Sequence, residues 1–523
     1  MSAANPHGTA GAGALRLAER QGRWVLFTTV LGSGMAMLDS TVVGVALPHI
    51  GAELDADLGV LQWTVNAYML TLAGLILLGG TLGDRYGRRR VFLLGIVWFA
   101  LASALCGLAW NAGVLIAARA LQGVGGALLT PGSLALIQAT FRPDDRARAV
   151  GAWSGLGGVA AAVGPFLGGW LVDGPGWRWV FLLNVPLALL CVPVALRHVP
   201  ESRDPAAEGR FDVTGAALAA LALGGVTYAL IAAPEVGASA AVVGAALAGG
   251  VLAAVFVWWE RRVPAPMVPP KIFTSRQFTA VNAVTLCVYA AFGGFFFLAV
   301  VQLQVSVGYS ALAAGTALLP TTVLMLLLSA RAGALGSRIG PRIPLTVGPL
   351  LCAGGMVLMT RAGPGASYVS DVLPALLVLG SGMVLLVAPL TATVLASVDV
   401  SRAGLASGVN NAVARAAGLV AVAALPLLAG MGPESYRDPT VFDAAFDRSM
   451  LYCALVLVVG GALAWLTVRG DVLETGDAPA AEPGAPPPHH CTAECHTHCG
   501  VAAPPLDPGH VSEPHPGGEP ERR

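Results

Sequence analysis

Charge is what this chain has least of. Asp, Glu, Lys and Arg make up 11% of its 523 residues, where soluble domains carry about 25%, so a water-solvated globule is excluded for most of its length. The 30 basic residues cancel the 30 acidic ones, so no partner follows from the overall balance and no nucleic-acid partner is expected. There is no G-x-x-x-x-G-K-[ST] loop, which argues against ATP as the energy source. Gly123-Val124-Gly125-Gly126 lies inside an apolar helical run rather than after a strand. Paired catalytic residues are missing too, so an enzyme is not expected, and ion gradients remain as the source of work. Five of the eight cysteines, Cys106, Cys191, Cys287, Cys352 and Cys453, are scattered through apolar runs, where Cys behaves as a small apolar side chain. No disulfide framework and no resident cofactor is implied.

What is present is length in apolar runs. Hydrophobic residues are 55% of the chain, and stretches of roughly 20 of them, enough to cross a bilayer as a helix, recur fourteen times from residues 24–47 to 449–468. The first is too long for a signal peptide, and thirteen more follow it. Basic residues sort into alternate loops: Arg85 and Arg88 to Arg90, Arg142 to Arg148, Arg197 to Arg210, Arg261 to Arg276, and Arg338 with Arg342 fall on one side. The other side holds Arg178, Arg361, Arg437 and Arg448. The positive-inside rule then puts both termini in the cytoplasm.

A charged island, Gly80-Thr81-Leu82-Gly83-Asp84-Arg85-Tyr86-Gly87-Arg88-Arg89-Arg90, returns half a chain later as Gly333-Ala334-Leu335-Gly336-Ser337-Arg338-Ile339-Gly340-Pro341-Arg342, with Ser337 in place of Asp84. One loop seen twice, after the second helix of each set of six, implies a parallel repeat. The expected fold is an all-α integral membrane protein of fourteen transmembrane helices. Residues 1–23 form an N-terminal arm, 24–198 and 278–469 two six-helix bundles, and 199–277 a linker with an inserted helix pair at 213–259. Residues 470–523, rich in Pro, His and Cys, read as a disordered cytoplasmic tail.

Ionisable residues inside lipid-spanning runs default to function. In the first half Asp39 and Arg119 qualify, at similar depth, and a carboxylate that an arginine stabilises is what proton coupling requires. A structural lock between two helices is the competing reading. Gly164, Pro165, Gly168 and Gly169, with Gly151 and Gly155 before them, allow backbones to touch and a kink to form; tight packing and a moving hinge both account for them. Arg415, beside Asn410 and Asn411, is open to a cavity role holding an anion or water. Phe295, with Phe296 and Phe297, is a candidate for an apolar drug pocket, whereas Arg331 is placed to snorkel. The tail segment with His489, His490, Cys491, Cys495, His496, His498 and Cys499 is dense in soft ligands for zinc or copper, although its spacing matches no zinc finger. Low-complexity accident is the alternative there.

These residues together resemble the major facilitator superfamily, and within it the fourteen-helix drug:proton antiporters. The opening island is similar to the signature between helices two and three. Leu38-Asp39-Ser40-Thr41-Val42-Val43-Gly44-Val45-Ala46-Leu47-Pro48 resembles the first-helix motif, with Gly44 where Asn is usual. Arg119-Ala120-Leu121-Gln122-Gly123-Val124-Gly125 resembles the fourth-helix motif, whose arginine is assigned to proton transfer. Gly164-Pro165 to Gly169 resembles the antiporter motif, with Ala160 where a further glycine is common. Trp177-Arg178-Trp179-Val180-Phe181 to Asn184 and Pro186 is also similar. The likeness covers about residues 24–469 and not the tail. It implies a multi-pass carrier of the cytoplasmic membrane that exchanges protons for hydrophobic or cationic drugs, works as a monomer and rocks two halves around a central site. Gly80, Gly83, Asp84, Arg85, Gly87 and Arg88 would then be a latch against the second half. Export of one metabolite, such as an amino acid, siderophore or self-made antibiotic, is the alternative, and a membrane sensor with a metal-binding tail a more distant one.

If the tail holds metal, a synthetic peptide of residues 486–500 will bind zinc or copper(I) with proton release, because thiols ligate as thiolates. Affinity measured by competition titration will fall steeply as pH is lowered; no binding at neutral pH would leave the cluster an accident of composition.

Overall fold

The computed structural model describes residues 15–203, 212–398, 402–432 and 435–472. The tail ligands His490, Cys491, Cys495, His496, His498 and Cys499 lie outside them. Lipid offers no partner for a backbone N–H or C=O, so each crossing segment satisfies its own as a helix. The described residues form α1 (Arg20–Glu53), α2 (Leu58–Tyr86), α3 (Arg88–Gly107), α4 (Ala112–Thr140), α5 (Pro143–Asp173), α6 (Arg178–His198), α7 (Val213–Val236) and α8 (Ala240–Glu260). They continue as α9 (Arg276–Val305), α10 (Ala311–Ile339), α11 (Arg342–Met359), α12 (Tyr368–Ala396), α13 (Ala403–Leu428) and α14 (Pro439–Thr467). Thirteen of these are long and apolar enough, over the described residues, to cross a membrane, and α5, of 31 residues, is as long as its neighbours. The protein is a multi-pass, all-helical membrane protein with the predicted kind of fold.

Side chains supply the missing partners at the helix starts. Asp57 accepts the Val60 N–H at 2.8 Å, Asn111 that of Val114 at 2.9 Å and Asp212 that of Gly215 at 2.7 Å. Asp438, ahead of α14, accepts from the Thr440 hydroxyl and from the Thr440 and Val441 N–H groups, which holds its carboxyl below the usual carboxylate range. Two helices are interrupted where proline removes a donor. α6 breaks at Leu183, where Pro186 cannot bond back to Leu182, and α10 breaks at Leu318, just before Pro320.

Lipid tails are as apolar as the helices, so association depends on close contact rather than on burial from water. A Cβ on Gly123 of α4 would lie 2.4 Å from the Tyr68 carbonyl oxygen of α2, so these two helices touch backbone to backbone. The inserted pair α7–α8 leans on α2, with Ala220 against Gly74 and Ile231 against Gly59. Its ends are tied by Trp259, whose indole N–H donates to Asp212 at 2.7 Å, and by Glu260, which accepts the Val268 N–H at 2.9 Å.

The two halves close on each other at the arginine-poor end. Asp173 at the end of α5 accepts the N–H groups of Ala311 and Leu312, at 3.2 and 2.9 Å, at the start of α10. Gln62 of α2 donates to the Val422 carbonyl of α13 at 2.7 Å, and Gln304 of α9 to the Val45 carbonyl of α1 at 3.0 Å. Asp55 pairs with Arg437 at 2.7 Å. The seam is narrowest where a Cβ on Gly169 would meet Leu312 Cα at 2.4 Å and one on Gly315 would meet the Pro165 carbonyl oxygen at 2.2 Å.

A side chain at Gly169 therefore has no room while this end is closed. Gly169→Val is expected to hold it open, lengthening the pulsed-EPR distance between spin labels at residues 175 and 364. Unchanged distances in a well-folded variant would contradict the seam.

Candidate functional site

Asp39 and Arg119 meet. Both are 1% exposed, and Arg119 Nη1 donates to Asp39 Oδ2 at 2.5 Å. A lone charge in lipid costs several kcal/mol, so the remaining donors and acceptors matter as much as the pair. Gln122, one turn beyond Arg119 on α4, donates to Asp39 Oδ1 at 2.7 Å and accepts from Arg119 Nη1 at 2.7 Å. Arg119 Nε donates to the Thr64 carbonyl of α2 at 3.0 Å. Asn184 of α6 reaches Asp39 Oδ1 at 3.3 Å and Ser103 Oγ of α3 at 3.0 Å; Ser103 in turn donates to the Phe181 carbonyl at 2.8 Å. The Arg119 guanidinium also lies over the Tyr68 ring, 4.4 Å from its centroid. The carboxylate is thus the point on which α1, α2, α3, α4 and α6 converge. Its two oxygens are taken up by a guanidinium and by two side-chain amides.

The glycine run of α5 stands on the neighbouring face of α1. A Cβ on Gly164 would meet Thr41 Oγ1 at 1.9 Å, and one on Gly168 would meet Val42 Cα at 3.1 Å. Pro165 and Gly169 face α10 instead, as the seam contacts above show. So the run packs α1 on one side and the second half on the other, two residues along α1 from the carboxylate.

In the charged island Asp84 accepts from Arg88 Nε at 2.8 Å, one turn on. Gly87, between α2 and α3, has φ +113°, a conformation that suits glycine. A Cβ there would also lie 2.7 Å from Glu201 Oε1. Glu201 accepts the Arg89 N–H at 3.0 Å and lies 3.7 Å from Arg90 Nε, while the Arg88 N–H donates to the Ser202 carbonyl at 2.9 Å. Arg85 lies against the ring of Tyr86 at 5.7 Å, and Gly80 and Gly83 pack on Pro131 and Arg88. The counterpart Ser337 donates to the Ala334 carbonyl at 2.8 Å.

Of the three residues expected at a cavity, Phe295 is not there. It is fully buried in the core of the second half, edge-on to Phe296 at 5.2 Å; a step of one residue turns a helical side chain by about 100°, and Phe296 is the exposed one. Asn411 is exposed and donates to the Ser407 carbonyl at 3.0 Å. Arg415 is half-buried, midway along α13. Arg331 is exposed, as snorkelling requires. Among the described residues no group of three or more His, Cys, Asp or Glu side chains converges to hold a metal.

The polar partners Ser103, Tyr68 and Glu201 stand in no motif of the sequence, whereas Asn184 belongs to the Trp177 to Pro186 segment. Gln122 had a signal, its position one turn from Arg119 in the same motif. Ser103 has only its polarity within an apolar run as a signal, and Glu201 is one acid among several in a polar linker.

Comparison with known proteins supplies the family. A family model described as Major Facilitator Superfamily matches residues 29–422. The chain is 36% identical to the multidrug resistance protein Stp of Mycobacterium tuberculosis, over 74% of this chain and 72% of that protein. It is 34% identical to the puromycin resistance protein pur8 of Streptomyces alboniger, over 87% of this chain and 93% of that protein. In backbone it is similar to a POT family transporter solved with a thioalcohol-conjugated peptide, with a TM-score of 0.64 at 15% identity over 85% of this chain and 96% of that one. At that identity the last likeness speaks to the fold.

Removing one member of a buried pair strands the other, at about 3–5 kcal/mol. Arg119→Met is therefore expected to lower the thermal unfolding temperature in detergent sharply. Adding Asp39→Asn should recover much of the loss, because the stranded charge is gone; a double variant less stable than the sum of the single losses would contradict the pairing.

Proposed function

Since the chain belongs to the Major Facilitator Superfamily, we propose that it is a proton-coupled exporter of hydrophobic drugs or antibiotics, working by alternating access across the cytoplasmic membrane. The observation that carries this reading is the Asp39–Arg119 pair, a titratable carboxylate sealed in the first bundle beside the seam between the halves. The names of its relatives, a multidrug and a puromycin resistance protein, support drugs as the cargo. By the positive-inside rule the arginine-rich end is cytoplasmic. The closed end is then the external one.

In the proposed cycle, parting of the halves at the external end brings water and protons to Asp39. Protonation cancels one charge of the pair, so the attraction of Arg119 and the hydrogen bonds from Gln122 and Asn184 weaken together. Leu38, Thr41 and Val42 lie on the same stretch of α1 and pack against Gly164 and Gly168, so a shift of α1 reaches the α5 run and the seam. Asp84 with Arg88, and Glu201 with the Arg89 N–H, brace the cytoplasmic ends of α2, α3 and α6 as the halves rock. Both conformations need comparable free energy for a proton to select between them.

Asp39→Asn keeps the size and most hydrogen bonds but cannot titrate. It is expected to abolish drug-induced proton movement and uphill export in proteoliposomes while leaving downhill exchange. Drug flux that is the same with and without a pH gradient in the wild-type protein would refute the coupling.

A further inference from the structure

The first half answers its buried guanidinium, Arg119, with a carboxylate; the half-buried guanidinium of the second, Arg415, has none among the described residues. Arg415 is placed midway along α13, and its Nε, shielded from solvent, makes no hydrogen bond. Among the described residues no carboxylate pairs with it. Asp39, the buried carboxylate of the first bundle, is already bound to Arg119. Two phenols stand at the level of Arg415, Tyr68 of α2 and Tyr289 of α9, whose carbonyl oxygen a Cβ on Gly418 would approach to 3.7 Å.

The packing explains why these groups meet. α2 and α13 run antiparallel in contact, Gln62 against Val422 near one end and Leu77 against Gly408 toward the other, which brings Tyr68 level with Arg415. One face of Tyr68 is taken by Arg119. On α13 Gly418, three residues from Arg415, lets α9 approach closely: a Cβ on Gly293 would lie 2.5 Å from Gly418 Cα. Tyr289 is one turn before Gly293 and opens a ladder of rings, with Phe292 at 6.1 Å and Phe296 a further 6.5 Å on. An unpaired guanidinium at the meeting of the two halves, walled by aromatic rings, is thus left with a donor to give and a charge to neutralise.

We propose that Arg415 is the anchor of the transport site and takes the ionised acidic group, a carboxylate or phenolate, of an aromatic substrate that lies beside Tyr289. The inference rests on the export reading and narrows its cargo. A cationic substrate would be repelled here, because Asp39 is engaged and Arg415 has no counter-ion to share. An anion gains a charge-assisted hydrogen bond, and its rings pack against Tyr289.

The test uses one dye skeleton in two charge states, in proteoliposomes with an imposed pH gradient: fluorescein, which carries a carboxylate and a phenolate, and rhodamine 6G, which carries a fixed positive charge. The wild-type protein is expected to favour fluorescein. In Arg415→Gln the ratio of fluorescein to rhodamine transport should fall by about tenfold or more, with the loss in KM for fluorescein, and Arg415→Lys should restore part of it. An equal loss of both dyes would mark Arg415 as structural and overturn the inference. So would a wild-type protein that moves rhodamine and ignores fluorescein, although drug export would then stand. Transport of neither dye, with no proton flux, would overturn both the inference and the export reading beneath it.

Discussion

A carboxylate in the middle of a bilayer survives only where other groups carry its charge with it. Asp39 is held by a guanidinium, a glutamine and an asparagine, and each of those is tied onward to a carbonyl or hydroxyl of another helix. Taking two charges out of water costs more than a simple pair returns. The arrangement is therefore best understood as positioning rather than as glue: it sets where five helices meet. A change at the carboxylate reaches α2, α3, α4 and α6 through this chain of hydrogen bonds.

The contacts between the halves are of a different kind. Inside each bundle, glycines let helix backbones touch over long stretches, as Gly123 does against Tyr68. Across the halves at the arginine-poor end, the glycine contacts of Gly169 and Gly315 are joined by polar links: a carboxylate on two N–H groups, two glutamines on carbonyls and an exposed ion pair. Exposed pairs of this sort are worth about 0–1 kcal/mol each. They are strong enough to align the seam and weak enough to be replaced by water when it parts. The small residues of α5 combine both roles, since Gly168 packs on α1 and Gly169 on α10.

The second half repeats the architecture without repeating the electrostatics. Ser337 stands in place of Asp84 and donates within its own helix, where Asp84 accepts from Arg88. Arg415 lacks the carboxylate that Arg119 has. The first half pairs its guanidinium, Arg119, with a carboxylate, and in the second half Arg415 pairs with none among the described residues.

The sequence by itself determined that the chain is a bundle of long apolar helices, because a segment crossing lipid must be both long and poor in charge, and that signal survives without knowledge of any neighbour. It also singled out Asp39 and Arg119, since an ionisable residue in such a segment is rare enough to stand out alone. Only the tertiary structure decided which polar residues join them. Ser103 and Asn184 are separated by 81 residues and meet at 3.0 Å, and nothing local in either helix says so. The same limit misplaced Phe295: three successive phenylalanines point to three faces of one helix, and which face looks inward is set by α13 and α14 packing beside it, not by the run itself. Glu201 was invisible for a related reason, because an acid in a polar linker acquires its role only when the fold brings it under Gly87, where the absence of a side chain leaves room for its carboxylate.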